Sequence, residues 1–77
     1  MNLKNVKPNF DWDLFKVHQA LTNRDIAEIL GMDASNIGRY IRVLYVTVNI
    51  KRKLETVYGR EFLNQFLIKD YLVGGLS

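Results

Sequence analysis

The apolar residues of the chain recur at helical spacing from end to end. Leu14, Val17 and Leu21 fall three and four residues apart, which predicts a first helix from about Asp11 to Ala20 with that stripe inward and Trp12 and Phe15 flanking it. Asn9 or Asp11 can cap it, and Asp11 and Asp13 suit the positive end of its dipole. A second helix is predicted from about Asn23 to Leu30, with Ile26, Ala27, Ile29 and Leu30 inward. Thr22 followed by Asp25 makes a capping box with the shorter acid, and Gly31 turns easily into the left-handed conformation after the last turn. The third helix starts near Ala34 with Asp33 as its N-cap. Ile37, Tyr40, Ile41 and Leu44 form its buried stripe, and Ser35, Asn36, Arg39 and Arg42 its opposite face.

Val43 to Ile50 is rich in β-branched residues and admits two readings. One is a helix end, a turn near Tyr45–Thr47 and a new helix from about Val48. The other is a strand, which would make the fold α+β. On the first reading a fourth helix covers about Val48 to Tyr58, with Ile50, Leu54, Val57 and Tyr58 apolar, and Gly59 breaks it. A fifth runs from Arg60 to about Val73 and ends at Gly74-Gly75. Phe62, Leu63, Phe66, Leu67 and Tyr71 line one of its faces, and Ile68 and Leu72 lie on another. A helix apolar over more than one face exceeds what a small monomer can bury, so Phe66, Ile68, Tyr71 and Leu72 are candidate dimer or partner contacts. The expected fold class is all-α, a compact five-helix bundle.

With 77 residues the chain is one domain, expected over residues 10–73, with a flexible N-terminal arm (1–9) carrying Lys4 and Lys7 and a short tail (74–77). It has no cysteine and one histidine, His18. Disulfide scaffolds, thiolate metal sites and cysteine nucleophiles are excluded, and His-paired triads nearly so. The expectation is a binding module and not an enzyme, with no cofactor and no metal. His18 reads as structural or exposed, and Trp12 and the phenylalanines as core. No uncharged apolar run approaches the ~18 residues of a membrane span, and the first residues do not resemble a signal peptide, so the expected location is the cytoplasm, with no membrane partner.

The formal net charge is +3, which permits nucleic-acid binding without demanding it. The basic focus lies just past the middle, where Lys51, Arg52, Lys53 and Arg60 stand against Glu55. Lys51-Arg52-Lys53 reads equally as a solubility patch or as a set of phosphate contacts.

The most specific pattern is residues 22–44. Two short helices crossing steeply need a small residue where they touch, and Ala27 fits. The turn needs a positive φ, and Gly31 fits. A branched apolar residue from the following helix must plug the gap, and Ile37 fits. This stretch resembles the small helix-turn-helix domains of phage repressors and Cro-type regulators, the lambda-repressor-like bundles whose second and third helices form the DNA-reading pair. The resemblance implies a sequence-specific transcription regulator that binds operator DNA as a homodimer. The third helix then enters the major groove, with Ala34, Ser35, Asn36, Gly38, Arg39 and Arg42 reading bases, and Arg39 best suited to a bidentate contact with guanine. Thr22, Asn23, Lys51, Arg52 and Lys53 become phosphate contacts. The motif itself is electrically neutral, and Gly38 weakens the reading helix, so modest affinity per subunit and dependence on a dimer are expected. A rival from another class is a phage antirepressor or modulator that grips a partner repressor protein instead of DNA.

Overall fold

A computed structural model describes residues 3–68 of the chain. Those residues form a 3-10 turn at Leu3–Asn5 and five α-helices: α1 (Trp12–Gln19), α2 (Asn23–Leu30), α3 (Ala34–Arg42), α4 (Val48–Tyr58) and α5 (Arg60–Asn64). No strand occurs among them; a single antiparallel bridge joins Phe10 to Leu67. The β-branched stretch therefore resolves as helix end, turn and new helix. Thr47 decides the restart, its Oγ1 accepting from the Ile50 N–H at 3.1 Å. None of the described helices is long and apolar enough to cross a membrane.

Local signals set α2. The Thr22 Oγ1 accepts from the Asp25 N–H at 3.1 Å, and the Asp25 carboxylate accepts from the Thr22 N–H at 3.0 Å. These reciprocal bonds hold the Asp25 carboxyl below its ordinary range, through the Thr22 backbone first and its side chain second. At the other end Gly31 sits at φ +65°, and the next N–H, of Met32, reaches back to the Ala27 carbonyl at 2.9 Å. The Lys53 Nζ of α4 donates to the last carbonyl of α2, Leu30, at 3.0 Å. Asp33 occupies the N-cap position of α3, but its side chain makes no capping bond, so the carboxylate stays exposed at the head of that helix.

Two expectations are corrected by the core. In α1 the inward face is the reverse of the predicted one. Trp12 and Phe15 are fully buried, whereas Leu14 and Val17 are 49% and 79% exposed. Both stripes have helical period; the aromatic one wins because each ring buries roughly 150–250 Å² and finds edge-to-face partners. Phe10, Trp12, Phe15 and Phe66 form one interlocked cluster, with Phe10–Trp12 centroids 4.7 Å apart and Phe15–Phe66 centroids 5.3 Å apart. Ile29 of α2 likewise lies at the surface, although Ile26, Ala27 and Leu30 are buried as expected.

The second correction is α5, which ends at Asn64 and not near Val73. Its continuation is diverted into a seam with two distant segments. The Phe66 carbonyl accepts from the Asp11 N–H at 2.7 Å, and the Ile68 N–H donates to the Asn9 carbonyl at 2.9 Å. Gln65 Nε2 ties off the last turn by donating to the Phe62 carbonyl at 2.9 Å. The third strip of the seam is the turn after α3. There Leu44 adopts φ +55°, and its carbonyl accepts from both Asn9 (2.8 Å) and Phe10 (3.1 Å). The Asn9 side chain bonds both backbone groups of Val46, accepting at 2.8 Å and donating at 3.1 Å. Trp12 Nε1 donates to the Tyr45 carbonyl at 2.9 Å. Asn9, assigned to the arm on sequence, is thus fixed at both its backbone and its side chain.

Candidate nucleic-acid interface

Helices α2 and α3 pack against each other, Ala27 of one and Ile37 of the other are both buried in the core, and three residues, Gly31 to Asp33, join the helices. The burial of Ile37 and Ile41 on one side of α3 leaves Ala34, Ser35, Asn36, Arg39 and Arg42 exposed on the other. Here helical periodicity places the exposed polar face without help from distant residues: the apolar positions choose the inner side, and the polar ones follow.

Asn23, the first residue of α2, meets this face. An open hollow of about 410 Å³ is lined by Asn23 together with Ala34, Ser35, Gly38, Arg39, Ile41 and Arg42. Five of the six residues expected to read bases share this hollow with one expected phosphate contact. Asn36 lies on the same helix, exposed, outside the hollow. Gly38 matters by what it lacks. A Cβ built there would lie 3.7 Å from Asn23 Nδ2, ordinary contact distance, so the packing of α2 on α3 does not require glycine. What its absence of a side chain does is keep the floor of the hollow low.

Two of the hollow's lining residues, Arg39 and Arg42, are cationic. Donors of two further kinds lie in it or beside it. Ser35 has a hydroxyl that can donate or accept. The capping box and the Thr22 carbonyl engage the N–H groups of Asp25 and Ile26, which leaves those of Asn23 and Arg24, at the positive end of the α2 dipole, with no acceptor inside the helix. Asn23 Oδ1 is buried with no hydrogen-bond partner among the described residues. The opposing charge is Asp33, whose uncapped carboxylate stands at the head of α3.

The remaining expected contacts lie elsewhere. Thr22 is exposed and occupied by the capping box. Lys51 lines a second hollow, of about 380 Å³, with Asn9, Tyr45, Val46, Thr47, Val48, Leu67 and Ile68. Arg52 is exposed on α4, and the Lys53 ammonium is engaged at the end of α2. The basic triplet and the α3 face are therefore separate features. Among the expected interface residues, Phe66 is corrected to core: it is 1% exposed and packs on Phe10, Phe15 and Phe62. Ile68 is half-buried beyond the end of α5, and Tyr71 and Leu72 lie outside the described residues. The sequence pattern did not mark Leu14 and Val17 as surface residues; the nearest signal was the rival aromatic stripe in the same eight residues.

No protein-family model, curated protein or solved structure matches this chain.

Proposed function

We propose that the chain is a sequence-specific binder of double-stranded DNA, a transcription regulator of the phage repressor and Cro type. In this reading α2 and α3 are the two helices of a helix-turn-helix within a lambda-repressor-like bundle. The observation that carries it is the convergence of Asn23, Ala34, Ser35, Gly38, Arg39 and Arg42 on one exposed hollow. Small residues at the head of the reader let the helix approach base edges closely. Arg39, one turn further on, reaches a guanine with two parallel N–H donors. Asn23 and the unengaged N–H groups beside it meet the flanking phosphate. Asp33 repels phosphate, which limits affinity per subunit, and two copies on a pseudo-palindrome recover it by reading half-sites about 34 Å apart. The protein acts by occupancy, blocking or recruiting polymerase.

In vitro selection from a random duplex pool tests this directly. A shared motif should emerge, with binding that weakens steeply as salt rises from about 50 to 200 mM. Failure to retain any duplex at about 50 mM salt, where even non-specific contacts hold, would sink the reading. Co-purification with a repressor in that case would move the function to a protein partner.

A further inference from the structure

We infer that Lys53 of α4 is a positioning residue for the reading helix: its ammonium fixes the end of α2 and, through the turn that follows, the head of α3 that meets the bases. This rests on the proposed reading of α3 as the helix that faces DNA. The sequence pattern groups Lys53 with Lys51 and Arg52 as phosphate contacts, but the fold gives it another task. Its Nζ donates to the Leu30 carbonyl, 23 residues away, at 3.0 Å. Among the described residues no other hydrogen bond ties α4 to α2 or to the turn Gly31–Asp33.

The two ends of α3 are held in different ways. Its C-terminal end enters the seam, where the Leu44 carbonyl accepts from the N–H groups of Asn9 (2.8 Å) and Phe10 (3.1 Å). Its head makes no hydrogen bond to another element among the described residues. Asp33 forms no side-chain cap bond there, and Ala34 and Ser35 are exposed. The head is held through the turn before it, and that turn begins at the carbonyl that Lys53 takes. The bond therefore closes a ring of chain, from Leu30 to Lys53, that contains the whole of α3. The end of α2 also lacks a cation of its own. The last turns of α1 and α3 carry basic residues, Lys16 with His18 and Arg39 with Arg42, whereas the last turn of α2 carries none. An ammonium supplied from α4 to the negative end of the α2 dipole both stabilises that end and orients it. A lysine engaged in this way serves its own chain and not a phosphate.

Lys53→Met in the full chain removes the ammonium and keeps the length and helix propensity of the side chain; Lys53→Arg keeps a cationic donor. Well below the melting temperature, Lys53→Met should bind a duplex chosen by in vitro selection about fivefold more weakly, and its preference for that duplex over single base changes should shrink by a similar factor. The slope of affinity against salt should not change, whereas a lost phosphate contact lowers it by about one. Lys53→Arg should restore both affinity and preference. A salt slope lowered by about one with the preference intact makes Lys53 a phosphate contact and overturns the inference. Affinity and preference both unchanged in a folded Lys53→Met overturn it too, leaving a residue that only stabilises a helix end. A DNA-free measurement keeps the inference apart from the proposed function: amide exchange at Gly31 and Met32 should quicken about fivefold in Lys53→Met and recover in Lys53→Arg. Unchanged exchange overturns the inference whether or not the chain binds DNA, while failure of the wild-type chain to retain any duplex strikes the proposed function itself.

Discussion

The α2–α3 pair and the seam that joins residues 9–12, 44–46 and 66–68 are built on opposite principles. In the pair, the caps and the turn are set within a few residues, Thr22 with Asp25 and Gly31 with Ala27, and Ile37 is set by the period of α3; the Lys53 bond to the end of α2 is the long-range addition. In the seam, hydrogen bonds span much of the chain, as from Asn9 to Val46 and from Asp11 to Phe66. The pair carries an exposed polar face and the seam carries most of the aromatic core. The lesson is a division of labour. The seam fixes the fold, and the pair, whose outer face is free of that duty, is available for recognition.

The comparison breaks if the seam does not dominate stability. Phe66→Ala removes a ring packed on Phe10, Phe15 and Phe62 and should cost about 3–5 kcal/mol, read by urea denaturation. An interface residue would cost almost nothing in the same experiment. Asn9→Ala leaves both backbone groups of Val46 without their side-chain partner and should cost about 2–3 kcal/mol.

Gly38→Ala sharpens the comparison from the other side. A Cβ there would meet only Asn23 Nδ2, at ordinary contact distance, and the backbone is ordinary helix, so alanine should raise stability by up to about 1 kcal/mol through helix propensity. Calorimetry would show the gain and binding assays a loss, since the new methyl group lifts the floor of the hollow. A stability loss would mean that glycine serves packing after all.

The capping box gives a smaller and pH-dependent effect. Thr22→Ala should cost about 1 kcal/mol at neutral pH. Because the Asp25 carboxyl titrates lower in the folded chain than in the unfolded one, its stabilisation is whole above the unfolded value, about pH 4, and fades as pH falls through the lowered folded value. The gap between wild type and Asp25→Ala should therefore narrow in acid, Asp25 being the residue to change because Thr22→Ala keeps the backbone N–H that bonds the carboxylate. Denaturation at neutral pH and near pH 3 compares the two.

Much of the pair was legible in the sequence, for the reason that its signals are local. The Thr22 cap, the Gly31 turn and the exposed row Ser35, Asn36, Arg39 and Arg42 all follow from spacing, whereas the start of α4 at Val48 was one of two readings that spacing left open. The seam was not legible. Nothing near Asn64 in the sequence breaks a helix; α5 stops because the carbonyl of Phe66 and the N–H of Ile68 are claimed by Asp11 and Asn9. The face of α1 failed for a related reason. Two stripes of helical period compete within eight residues, and the choice depends on Phe10, just before the helix, and on Phe66, which approaches from far along the chain. The basic triplet at 51–53 divided because a run of adjacent residues on a helix points in different directions, sending Lys53 to the end of α2 and Lys51 to a separate hollow.

If Arg39 and its neighbours on α3 read a DNA duplex, as proposed, the affinity of Arg39→Ala decides it, measured on a duplex chosen by in vitro selection and on versions of it with single base changes, beside Lys51→Ala. Loss of Arg39 should cost about 1–3 kcal/mol on the selected duplex and flatten the preference at one base pair, whereas loss of Lys51 should weaken all duplexes alike. Unchanged affinity and unchanged preference in Arg39→Ala, with the fold intact, would contradict it.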